Sequence, residues 1–178
     1  MKKIIIDKKN YDCIINHCIR KLNCDYCNDE TCEQQAFGVI VAYEEKDCFV
    51  VSKVIGLKRN YRYDSSVCYK LDNMINKFAI PGELNVSERA WAADPIELIQ
   101  ILSNLENNEK LLGMYHMHHD DSWFGNFPKD IPSKLDLELS KDNGLVSFIV
   151  YIGKSKKGIR AFYESKIEEE FELELGGK

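Results

Sequence analysis

The sequence predicts an α+β domain in which a mixed or antiparallel curved sheet is flanked by helices. Three observations predict it. Apolar runs rich in Val, Ile, Phe and Tyr recur at residues 36–42, 48–55, 111–118, 145–152 and 159–163, the content expected of strands. Short polar intervals separate the first pair and the last pair, the spacing of antiparallel neighbours. Helical patterns interrupt the strands without the regular βαβ alternation of a doubly wound sheet. At 178 residues, 44% hydrophobic and 30% charged, the chain suits one domain with its own core.

Each element has its own signal. Residues 3–6 are a short apolar run and read as a strand. Tyr11, Ile14, Ile15, Cys18, Ile19 and Leu22 recur at helical spacing, one stripe of an amphipathic helix. Residues 23–34 are polar and aperiodic, a loop. Residues 69–90 show no clean period and contain the turn signal Pro81-Gly82, so they read as an irregular insertion. Asp94-Pro95-Ile96-Glu97 opens a helix, with Asp94 as N-cap, Pro95 at the first helical position and Glu97 reaching back. After the strand at 111–118 comes a long loop, 119–132, holding Trp123, Phe124 and Phe127. A helix over 132–140 ends at Asn143-Gly144. The runs at 145–152 and 159–163 then form a hairpin.

Residues 164–178 hold six glutamates and two lysines and read as an acidic tail. That tail carries −4 of the net charge of −5, so the body is almost neutral. No basic stripe exists to follow a phosphate backbone, and nucleic acid is excluded as a partner. No apolar run approaches the roughly 20 residues of a membrane span. The opening Met-Lys-Lys-Ile-Ile-Ile-Asp is too short in its apolar part for a signal peptide. A soluble, cytoplasmic protein is expected. Of seven cysteines, five fall between Cys13 and Cys32. In a reducing compartment they read as free thiols, although Cys24-x-x-Cys27 with Cys32 also resembles half of a structural zinc site.

Three of the four histidines lie in Gly113-Met114-Tyr115-His116-Met117-His118-His119. On a strand, His116 and His118 share a face. Two imidazoles converging from one strand suit a zinc ion, and a pair of surface histidines is the plainer alternative. Downstream, Ser133-Lys134-Leu135-Asp136 offers a carboxylate in the first turn of a helix, in what is also an ordinary capping pattern. Together, two histidines and one carboxylate leave a fourth zinc position free, the arrangement of a catalytic site. The neighbouring serine could donate a hydrogen bond to an oxyanion.

In this order the sequence resembles the JAMM (JAB/MPN-type) zinc metallopeptidases. The residues that carry the resemblance include Gly38, Asn60, Trp91-Ala92-Ala93-Asp94-Pro95, the strand from Gly113 to His118, and Ser133 with Asp136. It spans roughly residues 1–163 and implies a single-domain JAB/MPN-like fold with Zn2+ as cofactor. By the resemblance His116, His118 and Asp136 are the zinc ligands and Ser133 the oxyanion partner. The implied reaction is hydrolysis of a peptide or isopeptide bond at the Gly-Gly tail of a ubiquitin-like or sulfur-carrier protein. Three features depart from the family. His119 replaces its usual proline and Met117 its usual serine. The loop 119–132 is longer, and its aromatics read equally as a substrate groove or a satellite hydrophobic cluster.

The third departure bears on catalysis. Three residues before Gly38, where the family carries its catalytic glutamate, stands Gln35. An amide can orient a water but cannot take its proton, and general-base help is typically worth ~10²–10⁴ in rate. Glu33 could substitute only if the strand entry were bulged. The chain is then either a natural pseudoenzyme or an inactivated variant of an enzyme. The contrasting reading is an MPN-like binding scaffold without catalysis. Gln35 favours it; the retained His116, His118, Ser133 and Asp136 oppose it.

Overall fold

A computed structural model describes residues 3–82 and 84–176. The chain begins with β1 (Lys3–Asp7) and α1 (Lys8–Leu22), which Asp7 caps by accepting from the Asn10 N–H. β2 (Phe37–Glu44) and β3 (Cys48–Gly56) follow as an antiparallel pair. Next come α2 (Ser65–Phe78), α3 (Pro95–Ser103) and β4 (Lys110–His119). α4 (Lys134–Ser140), β5 (Val146–Ile152) and β6 (Lys157–Tyr163) lead to the short strands β7 (Glu170–Phe171) and β8 (Leu173–Gly176). Among the described residues no helix is long and apolar enough to cross a membrane.

The eight strands form one sheet in the order β7-β6-β5-β4-β2-β3-β1-β8. It is mixed: β4 with β5, and β1 with both β3 and β8, are parallel, and the other pairs antiparallel. Its two terminal strands are consecutive in the chain, separated by Glu172 alone. One segment therefore pairs first with β6 and then with β1, and the Ile4 N–H donates to the Glu172 carbonyl between them. This draws the two ends of the sheet together into a nearly closed barrel with four helices. The expected JAB/MPN-like fold, a curved sheet flanked by helices, is thereby corrected.

Two further expectations change with it. Residues 170–176 belong to the barrel rather than to an acidic tail; Gly177 and Lys178 lie outside the described residues. Phe171 and Leu173 pack against the core while glutamates alternate with them toward water. The stretch 69–90 read as irregular is helical through Phe78, because Val67, Leu71, Met74, Ile75 and Phe78 line one face of α2. At α3 Asp94 does cap, accepting from the Ile96 N–H at 2.8 Å. Glu97 does not reach back; its carboxylate accepts from the Lys58 and Arg59 N–H groups.

The core sits between α1 and the sheet. Ile14, Ile15 and Cys18 of the expected stripe are buried, with Tyr11, Ile19 and Leu22 packed against the same cluster. β4 approaches β5 so closely that a Cβ on Gly113 would lie 1.9 Å from the Val146 carbonyl oxygen. Only glycine leaves that space.

The loop between α1 and β2 is held by a buried acid. Glu30 accepts a forked pair of bonds from Arg20 at 2.6 and 2.8 Å and a third from the Cys27 N–H. Burial alone would raise the Glu30 carboxyl, but Arg20, the Cys27 N–H and Lys21 together lower it to about 2. Burial, reinforced by Arg20, pushes His17 down to about 4, and its Nδ1 lies 2.6 Å from the Tyr115 hydroxyl. Both groups bind protons more readily when unfolded. Their joint contribution to stability is therefore complete above about pH 6.5 and falls as pH drops, first through His17 toward pH 4 and then through Glu30 toward pH 2. The His17 part amounts to about 3 kcal/mol, at about 1.4 kcal/mol per pH unit. Urea unfolding between pH 7 and pH 4 should show this slope, and His17→Gln should flatten it.

Candidate metal centre

His116 and His118 lie two apart near the end of β4, so the pleat puts both rings on one face. β2 and β5 hydrogen-bond β4 from either side, with Phe37 and Ile149 opposite His116. Asp136 comes from elsewhere, the first turn of α4. Its Oδ2 accepts from the Ser133 N–H at 2.6 Å, and the Asp136 N–H donates to Ser133 Oγ at 3.3 Å. The capping pattern and the carboxylate are thus one device: the cap fixes the carboxylate in place.

The donors converge. His116 Nε2 lies 3.1 Å from His118 Nε2 and 3.0 Å from Asp136 Oδ1, and His118 Nε2 lies 3.5 Å from Asp136 Oδ2. Burial would raise the Asp136 carboxyl, but His116 and then His118 outweigh it and hold the group well below the ordinary carboxylate range. His118 Nδ1 is 3.0 Å from the Lys129 carbonyl. A carbonyl only accepts, so Nδ1 carries the proton and Nε2 presents its lone pair inward. That orientation is the usual support for a metal-bound imidazole. Two imidazole nitrogens and a carboxylate crowded on one point, all within 4.8 Å, form a donor set that a cation satisfies. The residues fit zinc or a similar borderline divalent ion.

The remaining expected site residues fall around this centre. Ser133 lines the same cleft; its oxygen accepts from Asp136, which leaves its hydroxyl hydrogen for a cleft acceptor. Gln35 lines the cleft too, and its amide nitrogen donates to the Glu88 carbonyl at 2.8 Å. Glu33 lies outside that lining, with one oxygen accepting from Asn60 at 2.8 Å and the other buried without a partner. Burial pushes its carboxyl up.

The cleft has two arms. One, of about 110 Å³, runs past Gln35, Arg89, Trp91 and Trp123. The other, of about 250 Å³, lies beyond His116 and Asp136 against Leu71, Met114, Leu145 and Val146. A larger groove of about 630 Å³ runs between α3 and β3, but among the described residues the donor cluster lies only in the cleft. Cys24, Cys27 and Cys32 are exposed free thiols and form no converging group of three donors.

The aromatic loop divides. Trp123 is 8% exposed and packs edge-on against His118 at 4.8 Å between ring centroids. Phe124 and Phe127 are more than half exposed and do not line the cleft. Trp123→Ala should therefore cost about 3 kcal/mol, as buried aromatics do. Phe127→Ala should stay within about 0.5 kcal/mol. Denaturant midpoints at pH 7 check both. Trp91, stacked on Phe37 at 4.8 Å, and Arg89 were not legible as cleft residues, because the turn that brings them in is set by residues 60–92 folding back.

No family model matches the chain, and no curated protein sequence matches it. In structure it is similar to the solution structure of protein DSY2949 from Desulfitobacterium hafniense. That protein is 19% identical with a TM-score of 0.62, over 98% of this chain and 94% of that one. A protein from Salinibacter ruber matches at 15% identity and a TM-score of 0.49, over 100% of this chain and 94% of that one. The first likeness shows the fold along nearly the whole of both chains. Neither name states an activity.

Proposed function

We propose that this chain is a zinc-dependent peptidase or isopeptidase of JAMM type, with His116, His118 and Asp136 as metal ligands. The observation that carries this reading is the convergence of their three donor atoms, with His118 oriented from behind by Lys129. When bound, zinc supplies a Lewis acid that polarises a carbonyl and acidifies water toward a pKa of about 7. Ser133 donates its hydroxyl to the oxygen of the attacked carbonyl. Gln35, beside the end of β4, orients the attacking water but cannot accept its proton, so the chain as it stands turns over slowly. The proposed substrate is the Gly-Gly tail of a ubiquitin-like or sulfur-carrier protein, or its conjugate, in the cytoplasm.

Gln35 also favours a second reading, a binding module that keeps the metal site without turnover. Incubation of the zinc-loaded chain and its Gln35→Glu form with Gly-Gly-linked conjugates separates the two. Cleavage by the Glu form supports the hydrolase. No cleavage by either form, with zinc bound and conjugate retained, supports the binding module.

A further inference from the structure

Arg89, Ala90 and Trp91 line the cleft together with His116, His118 and Asp136. A short 3-10 turn, Val86–Glu88, leads into Arg89, and Ala90 then adopts a left-handed φ of 62°. For a residue with a Cβ that conformation costs of order 1 kcal/mol, and it persists only where the surrounding structure enforces it. Here it turns both neighbours, Arg89 and Trp91, into the cleft lining. The Gln35 amide, bonded to the Glu88 carbonyl, ties this segment to the position beside the metal ligands.

Arg89 differs from the other four arginines of the chain. Arg20 forks onto Glu30 and Arg160 onto Glu170, while Arg62 meets Asp72 and Arg59 meets Asp94. Arg89 is half-buried, yet among the described residues no carboxylate lies within ion-pair distance of it. Its Nη2 donates to the Ile80 carbonyl at 2.5 Å. Burial lowers its pKa. A guanidinium has five N–H donors in a fork that matches a carboxylate, and among the described residues only Nη2 of Arg89 has a partner. The opposite arm, against Leu71, Met114, Leu145 and Val146, has no lysine or arginine in its lining, and Asp136 is its one carboxylate.

We propose that Arg89 receives a carboxylate of the substrate, so that the site acts on peptides or amides carrying a carboxylate close to the scissile bond. This rests on the hydrolytic reading of His116, His118 and Asp136. The carboxylate is supplied either by the C-terminus of the leaving group or by an acidic side chain, and two peptide pairs tell these apart. One pair is acetyl-Leu-Gly-Ala with a free C-terminus against its C-terminal amide. The other is acetyl-Leu-Glu-Ala-amide against acetyl-Leu-Gln-Ala-amide.

Calorimetry on the zinc-loaded chain should show the carboxylate member of one pair binding about 10- to 100-fold more tightly, the worth of a charge-assisted bidentate contact. Arg89→Met should bring that ratio to near unity while zinc content, measured in parallel, stays unchanged. If Arg89→Met does not fold, Arg89→Lys carries the test, with at least about a threefold fall in the ratio expected because lysine lacks the fork. No preference in either pair, a preference untouched by the substitution, or no binding of any peptide at millimolar concentration overturns the proposal. A chain that holds no zinc and still shows the Arg89-dependent preference overturns the hydrolytic reading and leaves the carboxylate assignment standing.

Discussion

Replacing Gln35 by glutamate is expected to raise the turnover of the zinc-loaded chain by ~10²–10⁴, the range of a positioned general base, without altering zinc content. The attacking water must lose a proton and the leaving nitrogen must gain one. A carboxylate at position 35 carries that proton from one to the other; the amide there does not. The structure adds a reason for the gain to be large. Gln35 now donates to the Glu88 carbonyl, a bond that a carboxylate would lose. An ionised glutamate facing a carbonyl oxygen is destabilised, which moves its pKa up toward the neutral range where a general base works best. Glu33→Ala should leave the rate of either form unchanged, since Glu33 lies against Asn60 and not in the cleft. Single-turnover cleavage of one conjugate by the four combinations measures both effects. A fully active native chain silenced by Glu33→Ala would reverse the assignment.

The second large effect is on metal binding. His118→Ala should abolish stoichiometric zinc, measured by metal analysis after dialysis, while the far-ultraviolet spectrum stays that of the native chain. The expectation follows from where the ligands sit. His118 ends a strand whose pairing with β2 and β5 does not depend on its side chain. The Asp136 carboxylate keeps its bond from the Ser133 N–H without His118. Two donors remain, too few for a site of this type. Ser133→Ala should act differently, weakening the cap of α4 by about 1 kcal/mol and leaving zinc in place. Full zinc retention by His118→Ala would sink the ligand assignment.

The local chemistry of this protein was legible in its sequence. Period two on a strand puts His116 and His118 on one face whatever the fold around them. The Ser133-x-x-Asp136 spacing forms its capping box within four residues and needs nothing distant. The apolar stripe of α1 predicts its own burial in the same way. Some signals were present but outweighed: Phe171, Leu173 and Leu175 alternate with glutamates, a strand pattern hidden by the charge of the segment that carries it.

Tertiary structure alone decided the rest, because it depends on pairing between residues far apart in sequence. Closure of the barrel needs the Glu170–Gly176 segment to meet β6 on one side and β1, some 170 residues earlier, on the other. No local propensity encodes that. Asp136 reaches the histidines only because α4 packs on α2 and β4 runs beside β5. Gln35 rather than Glu33 lines the cleft, while Glu33 accepts from Asn60 instead. Arg89 enters the cleft through a left-handed turn at Ala90 that its own sequence disfavours and only the surrounding packing sustains.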